Sequence, residues 1–409
     1  MKKATRVLGL TAALLLLHPL PRQAAERTTG PWDLPALSQP PRTFPAPDAH
    51  ADGVKGLYFD ALPYKGHPTR VFAWYGCPKV EPGQKVPAVV LLHGGGGTAY
   101  DEWVRVWNSH GYAAIAPALE GQSEKPRENN KSPYPRHEFS GPARQAIFED
   151  IDQPVQDHWF FHAIADAILA DSLLRSFPEV DAERVGVTGI SWGGILTSAL
   201  AGVDDRLKFA IPVYGCGFLN ETPIYSAALA KSGSTDKYLR LWEPANFLPN
   251  AHMPMLWVNG ANDIHFPLNA FSKSARLAKG ESWSCVRIGM KHGHPAGWAP
   301  PEIYAFADGV VKGADPLPRF TNHGRHASVA WAAYASSHRI RQAELIYTME
   351  PKDWVKCEWQ TMPARVDGAK KQVTARLPDG CRGYFFNLTD DRGLLSSTTM
   401  QQLGDEPAK

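Results

Sequence analysis

Ser191 stands in the pattern Gly189-Ile190-Ser191-Trp192-Gly193, between a strand-like run and a helix-like run. Residues 184–188 are rich in β-branched side chains, which predicts a strand. Beyond the serine, apolar residues recur at helical spacing. A serine at such a junction sits on a strained turn that exposes its hydroxyl, and the glycines leave room for strand and helix to approach. The pattern alone also fits a Gly-rich turn with an incidental serine. Its position predicts a nucleophile.

A nucleophilic serine needs a base to accept its proton and an acid to hold that base. Asp263 follows the apolar run 255–258, and His292 follows the run 285–288, so each comes just after a predicted strand. We predict Asp263 as the acid and His292 as the base, with His294 as an alternative base. An aspartate in a Gly/Asn turn is also a common turn former, and a loop histidine can simply be solvated.

Negative charge on a tetrahedral intermediate requires N–H donors that are already in place. The amide of Trp192, directly after the serine, is one candidate. The second is Gly95, in the run His-Gly-Gly-Gly-Gly at residues 93–97. A phosphate-binding loop is the rival interpretation of this run, but no Lys-Ser/Thr follows it. We therefore predict an oxyanion hole formed by Trp192 and Gly95.

Apolar runs that read as buried strands alternate with helical stretches through the middle of the chain. The strand-like runs are residues 86–92, 112–116, 185–188, 209–214, 255–259 and 285–288, and the clearest amphipathic helix is 158–176. Residues 54–59 and 69–75 predict an opening hairpin. This alternation predicts an α/β domain over residues 54–314, with a doubly wound, mostly parallel sheet.

Other segments flank this domain. Residues 1–25 have a basic start, an apolar stretch and a small pair, which predicts a cleaved signal peptide and a secreted or periplasmic protein without a membrane span. Residues 26–53 are Pro-rich and predict an extended lead-in without regular structure. Residues 315–409 predict a small β-sandwich, with strands at 343–348, 354–359, 373–377 and 384–388. In an oxidising compartment Cys357 and Cys381 could bridge, although spacing does not determine the pairing.

Charge and composition exclude several functions. The 43 basic and 41 acidic residues give a net charge of +2, and no basic cluster with interleaved aromatics predicts a nucleic-acid partner. No Cys/His spacing predicts zinc, and no motif predicts a cofactor. Residues 120–148 are rich in Pro, Asn, Lys and Arg and predict a cap over the site. The sequence carries no signal of oligomeric state.

Taken together, these motifs resemble the α/β-hydrolase superfamily. The resemblance is to the acetyl xylan esterase, dienelactone hydrolase and prolyl oligopeptidase group of serine hydrolases. It spans residues 54–312 and is carried by residues 93–97 and 189–194, by Asn262-Asp263 and by His292-Gly293. The chain has serine where dienelactone hydrolases have cysteine as nucleophile. Because only 53 residues precede the predicted domain in this sequence, we expect no upstream β-propeller of the prolyl oligopeptidase kind.

The resemblance implies an exported serine carboxylic-ester hydrolase that acts through an acyl-enzyme on a small-molecule or carbohydrate ester, with acetyl or similar acyl groups on a sugar as the first hypothesis. Four tryptophans are compatible with a sugar-binding cleft, although tryptophans serve cores more often. They are Trp103, Trp159, Trp192 and Trp298. A serine oligopeptidase or aminopeptidase is the alternative, but the sequence identifies no carboxylate pair for a peptide amino terminus. A non-catalytic polysaccharide- or protein-binding role is the third hypothesis.

Overall fold

A computed structural model of the protein describes residues 30–129, 131–350 and 353–404. The predicted signal peptide lies outside these residues. The strands are β1 (Thr43–Ala51), β2 (Val54–Tyr64), β3 (His67–Gly76), β4 (Val86–Leu92), β5 (Ala113–Pro117), β6 (Val180–Ile190), β7 (Ala210–Val213), β8 (Met255–Gly260), β9 (Ser282–Arg287), β10 (Arg319–His326), β11 (Val329–Ala335), β12 (Ile340–Thr348), β13 (Gln360–Pro363), β14 (Arg365–Asp367), β15 (Gln372–Arg376), β16 (Gly383–Asp390), β17 (Leu395–Ser397) and β18 (Gln401–Gln402). The α-helices are α1 (Leu34–Leu37), α2 (Asp101–Ser109), α3 (Trp159–Ser176), α4 (Trp192–Leu200), α5 (Pro223–Ser232), α6 (Thr235–Leu241), α7 (Leu268–Ala275), α8 (His294–Trp298) and α9 (Pro301–Val311).

A large mixed sheet forms the centre of the molecule. Within the described residues its order is β1-β2-β3-β5-β4-β6-β7-β8-β9-β17-β16-β12-β13, and β18 pairs with β16. The strands from β5 through β9 in this order run parallel to one another. Every residue of β4 is buried, as expected for a parallel strand covered by helices on both faces. The prediction of a mostly parallel α/β-hydrolase sheet is confirmed.

The lead-in differs from its prediction. Residues of this segment form the short helix α1 and the strand β1, which pairs antiparallel with β2 at the edge of the sheet. Proline lacks an N–H, but an edge strand has a free side on which that donor is not needed, so Pro45 and Pro47 are tolerated there. Composition alone suggested an irregular segment because it does not reveal that a partner strand is in reach.

Helix α3 is buried on nearly all sides, whereas its sequence predicts one apolar face. Its residues from Trp159 to Leu174 are all buried. The lead-in covers the outer face: the Trp32 indole donates to Phe161 O at 2.9 Å, and Ser172 Oγ donates to Leu37 O at 2.7 Å. No helix in the described part of the chain is both long enough and apolar enough to cross a membrane.

The C-terminal residues form a small sandwich, as predicted. An apolar cluster fills the space between the sheet of β10, β11, β15 and β14 and the strands β12 and β16 of the main sheet, with Tyr334, Val373, Leu345 and Phe386 among its members. Its strands continue the main sheet through the pair Ser397 and Ser284.

Two details of this region depart from the sequence-based expectations. Residues 354–359 form a turn and irregular structure, so the strand predicted there is wrong. Cys357 and Cys381 are buried free thiols, whose Sγ atoms point to the carbonyl oxygens of Trp354 at 3.6 Å and Gly383 at 3.5 Å. Burial raises the pKa of Cys357 to about 11, which disfavours the reactive thiolate.

Candidate active site

Four loops that follow parallel strands meet at one edge of the sheet. The glycine run at residues 93–97 follows β4, Ser191 follows β6, Asp263 follows β8 and His292 follows β9. Because these strands are parallel, their carboxyl ends lie on the same side. The predicted nucleophile, acid, base and oxyanion donors therefore share one edge of the fold.

Ser191 occupies a strained turn between β6 and α4. Its backbone has φ 59° and ψ −116°, and residues other than glycine rarely adopt such a positive φ. A Cβ on Gly189 would lie 2.1 Å from Gly193 O, and one on Gly193 would lie 1.9 Å from Leu92 O. Only glycine permits this approach of strand and helix. The sharp turn presents the serine side chain at the sheet edge.

Asp263 and His292 are joined directly. His292 Nδ1 lies 2.6 Å from Asp263 Oδ2. The other oxygen, Oδ1, accepts from the backbone N–H of His265 at 2.9 Å and of Phe266 at 2.8 Å. The Asp263 side chain is fully buried, so these bonds fix its orientation. Because the carboxylate accepts, Nδ1 of His292 carries the proton and Nε2 is left to act as an acceptor.

Rings pack around the His292 imidazole. Tyr214 lies 4.5 Å away between ring centroids, and Phe266 lies 6.2 Å away. The Tyr214 hydroxyl donates to Lys291 O at 2.6 Å, which fixes the start of the loop. His265 lies 4.8 Å from His292, and burial lowers the pKa of His265, which keeps that ring neutral beside His292.

His294 holds a different position. Its Nε2 accepts from the backbone N–H of Gly94 at 3.0 Å. Burial lowers the pKa of His294 to about 3, so the ring is neutral at physiological pH and serves as an acceptor. The structure therefore brings His292 to the acid and His294 to the glycine loop. Within the described residues, Ser191 Oγ makes no hydrogen bond to either ring. Such bonds are often long before substrate binds.

The glycine loop packs against the start of α4. A Cβ on Gly94 would lie 3.3 Å from Ser191 Cβ, and one on Gly95 would lie 2.5 Å from Trp192 Cδ1. The Gly94 amide is already bonded to His294, which leaves Gly95 as the loop's candidate donor beside the amide of Trp192. His93 is structural: its Nε2 accepts from Leu119 N at 2.8 Å, and burial lowers its pKa.

The predicted cap lies against this loop. Among its described residues the segment 120–148 has no helix or strand, and it is tied down by isolated bridges such as Gln122 with Arg136. Two of its members, Glu120 and Arg144, contact the glycine loop and the Trp192 ring. Neither belongs to a sequence motif. Their charges and their place inside the cap were the only available signal.

The four candidate tryptophans belong to the core. Trp103, Trp159, Trp192 and Trp298 are 2%, 3%, 6% and 8% exposed. Trp103 stacks on Trp298 at 5.4 Å, and Trp159 meets Trp192 edge-on at 5.5 Å. Rings this buried do not offer open faces to a sugar. Within the described ranges, no group of three or more His, Cys, Asp or Glu side chains could hold a metal ion.

The sheet, the strained serine turn and the ordered loops together form the α/β-hydrolase fold. Residues 38–241 match the acetyl xylan esterase (AXE1) family, a range that includes Ser191 and the glycine loop and ends before Asp263. The acetyl xylan esterase of Paenibacillus sp. R4 is 23% identical with a TM-score of 0.50, over 64% of this chain and 88% of that one. Acetyl xylan esterase 1 of Thermoanaerobacterium sp. JW/SL YS485 is 19% identical with a TM-score of 0.49, over 65% and 90%. An acylaminoacyl peptidase of Pyrococcus horikoshii is 20% identical with a TM-score of 0.46, over 60% and 38%. The fold and the family match support an esterase of this fold.

Proposed function

We propose that this protein is an exported serine carboxylic-ester hydrolase that removes acetyl or similar short acyl groups, with carbohydrate esters as its substrate class. The single observation that carries the proposal is the 2.6 Å bond between His292 and the buried Asp263, at the same sheet edge as Ser191. The match to the acetyl xylan esterase family supports an ester rather than an amide as substrate.

In this mechanism Ser191 Oγ attacks the acyl carbonyl while His292 Nε2 accepts its proton. The new oxyanion is stabilised by the amides of Trp192 and Gly95, which belong to the helix start and the glycine loop. His292 then gives the proton to the departing alcohol, and an acyl-enzyme on Ser191 remains. Water, deprotonated by His292, then attacks this ester; the acyl–oxygen bond breaks, the imidazolium returns the proton to Ser191 Oγ, and the acid leaves. Asp263 stays ionised throughout and stabilises the imidazolium.

Two assays test the reaction. We expect hydrolysis of p-nitrophenyl acetate and acetylated sugars, no preference for dipeptide anilides, and labelling of Ser191 by a fluorophosphonate probe. The variant Ser191→Ala should lose both labelling and turnover. Preferential cleavage of the anilides would instead establish a peptidase. Folded protein that is neither labelled nor active on either substrate would establish a non-catalytic role.

Export belongs to the same proposal and rests on the sequence of residues 1–25. Expression of the full chain in a bacterial host should deposit a shortened protein outside the cytoplasm. Its amino-terminal residues, read by mass spectrometry, should begin after the Ala24-Ala25 pair. A full-length chain retained in the cytoplasm would contradict export and leave the hydrolase reaction unaffected.

A further inference from the structure

The four glycines of the loop, residues 94–97, have no side chains with which to hold their backbone in place. Its backbone groups are held from outside, by the turn that opens the predicted cap. Glu120 Oε1 accepts from Gly96 N at 3.1 Å, and Gln122 Nε2 donates to Gly97 O at 2.7 Å. Glu120 N in turn donates to Gln122 Oε1 at 2.9 Å, so the two side chains are themselves ordered. These two hydrogen bonds hold the loop on either side of the peptide that joins Gly96 to Gly97.

The same carboxylate oxygen that holds Gly96 also binds Arg144. Arg144 Nε lies 3.1 Å from Glu120 Oε1, and the two side chains are only 19% and 12% exposed. An ion pair this sheltered is screened less by solvent and salt than a surface pair, so it fixes geometry more firmly. Arg144 Nη1 donates to Ala146 O, which anchors the guanidinium to its own segment.

Arg144 then reaches the other half of the oxyanion hole. Its guanidinium carbon lies 4.7 Å from the centroid of the Trp192 ring, in a cation–π contact. A Cβ on Gly95 would lie 2.8 Å from Arg144 Nη2 and 2.5 Å from Trp192 Cδ1. The guanidinium and the indole therefore both border the Gly95 backbone. Phe148 supports the indole at 5.5 Å.

We propose that Glu120 and Arg144 are positioning residues that set the separation of the Gly95 and Trp192 amides and so preorganise the oxyanion hole. The inference deepens the proposed function and rests on it. Glu120 binds the amide of Gly96 in the glycine loop, and Arg144 contacts the indole of Trp192. The ion pair between Glu120 and Arg144 couples these two contacts. The cap thus contributes to catalysis without touching the substrate.

The test compares variants on p-nitrophenyl acetate. Removing one oxyanion donor costs about 10²-fold to 10³-fold in kcat, so displacing two donors slightly should cost about 10-fold to 100-fold. We expect Arg144→Ala to lower kcat by that amount with KM within about twofold. Inhibition by a small alkylboronic acid, whose tetrahedral adduct needs the same amides, should weaken by the same factor. Because either substitution breaks the same ion pair, Glu120→Ala should lower kcat as much as Arg144→Ala does. The double variant should have a kcat no lower than either single variant.

Conservative variants and a matched control separate positioning from loss of structure. Glu120→Gln keeps an oxygen for Gly96 and Arg144 but removes the charge of the ion pair, so it should restore only part of kcat relative to Glu120→Ala. Arg144→Lys keeps the charge but not the planar contact and should likewise restore only part of kcat. Arg70 also stacks on a cap residue, Phe139, with its guanidinium carbon 4.2 Å from the ring centroid. Arg70→Ala loosens the cap away from the glycine loop and should leave kcat unchanged.

The outcomes are distinct. An active wild type whose kcat and boronate inhibition are unaffected by Arg144→Ala would overturn this inference alone, as would an equal loss in Arg70→Ala. A rise in KM with unchanged kcat would also overturn it, because that pattern marks ground-state binding. A folded wild type that hydrolyses no ester and takes no fluorophosphonate label would overturn the proposed function itself.

Discussion

Asp263 holds three hydrogen bonds on one buried carboxylate, and each has a separate consequence. Oδ1 accepts from two backbone amides of its own turn, and Oδ2 binds His292. The first two bonds order the loop, and the third sets the tautomer of the imidazole. Stability and catalysis can therefore be separated by choosing which bond a substitution alters.

We expect Asp263→Asn to leave the fold intact and to lower kcat by about 10³-fold to 10⁴-fold. The amide can keep Oδ1 as the acceptor for the two backbone N–H groups. Its NH₂ then faces His292 Nδ1 and forces the proton onto Nε2, where the base should accept. Steady-state kinetics with circular dichroism as a folding control check this. An activity within tenfold of wild type would contradict the role of Asp263.

The same kinetic assay should distinguish the roles of His292 and His294. His292→Gln should lose activity to a similar extent as Asp263→Asn. His294→Gln should retain kcat within about tenfold, because glutamine can still accept from Gly94 N. The reverse order of activities would identify His294 as the base.

His294 also predicts a pH dependence of stability. Its folded pKa, about 3, lies below its ordinary value of 6.5, so the unfolded chain binds a proton between these values that the folded chain does not. The free energy of unfolding therefore falls as the pH drops from about 6.5 toward 3. His294→Gln should flatten this slope near pH 5 by up to about 1.4 kcal/mol per pH unit, the contribution of one proton. Urea unfolding at several pH values measures it, with the exposed His50→Gln as control.

At the scale of elements, the serine turn depends on glycines that let the backbones of the strand and the helix approach closely. Gly193→Ala would place a Cβ 1.9 Å from Leu92 O, in the contact between α4 and β4. Backbone atoms cannot move aside as a flexible side chain does. We expect a loss of more than about 3 kcal/mol in the free energy of unfolding, or no folded protein. Gly368→Ala, where nothing lies within 4 Å, should be near neutral in the same denaturant titration.

Local patterns were sufficient for the central elements. The run 86–92 was predicted as a buried strand and is β4, because continuous apolarity reports burial on both faces. Ser191, Asp263 and His292 were each predicted just after a strand, and they follow β6, β8 and β9. The predictions that failed concerned segments whose structure depends on residues far away in the sequence. The lead-in became strand β1 only because β2 was there to pair with it. Residues 354–359 look apolar and alternating, yet they form no strand. Their backbone and the Trp359 indole bond instead to Asn262 and Ala261.

The same limit applies to the candidate site. Triads of the α/β-hydrolase fold have a characteristic chain order. Nothing in the sequence, by contrast, joins Glu120 to Arg144 and then to Trp192. Long-range contacts of irregular segments follow from the fold and not from local spacing. Both His292 and His294 follow the same strand, so the sequence gives a preference but not their partners. In the structure His292 binds Asp263, whereas His294 accepts from the Gly94 amide.

At the scale of the whole molecule, the C-terminal region contacts the loop that carries Asp263. Asn262 Nδ2 donates to Val355 O at 3.2 Å and to Cys357 O at 2.8 Å. The Trp359 indole donates to Ala261 O at 3.1 Å and packs on Phe385 at 5.3 Å. Residues 355–359 therefore hold the two residues that precede Asp263. The sandwich is joined to the site by hydrogen bonds as well as by the continuous sheet.

Asn262→Ala tests whether this contact matters to the reaction. Losing two hydrogen bonds should lower the free energy of unfolding by about 1–3 kcal/mol. If the contact also orients Asp263, kcat should fall about threefold to tenfold with KM unchanged. Gln360→Ala removes a bond to Tyr347 inside the sandwich and leaves the acid loop untouched. Equal kinetic effects in both variants would mean that the sandwich only supports the fold, whereas a lower kcat with unchanged KM in Asn262→Ala alone would make it part of the catalytic scaffold.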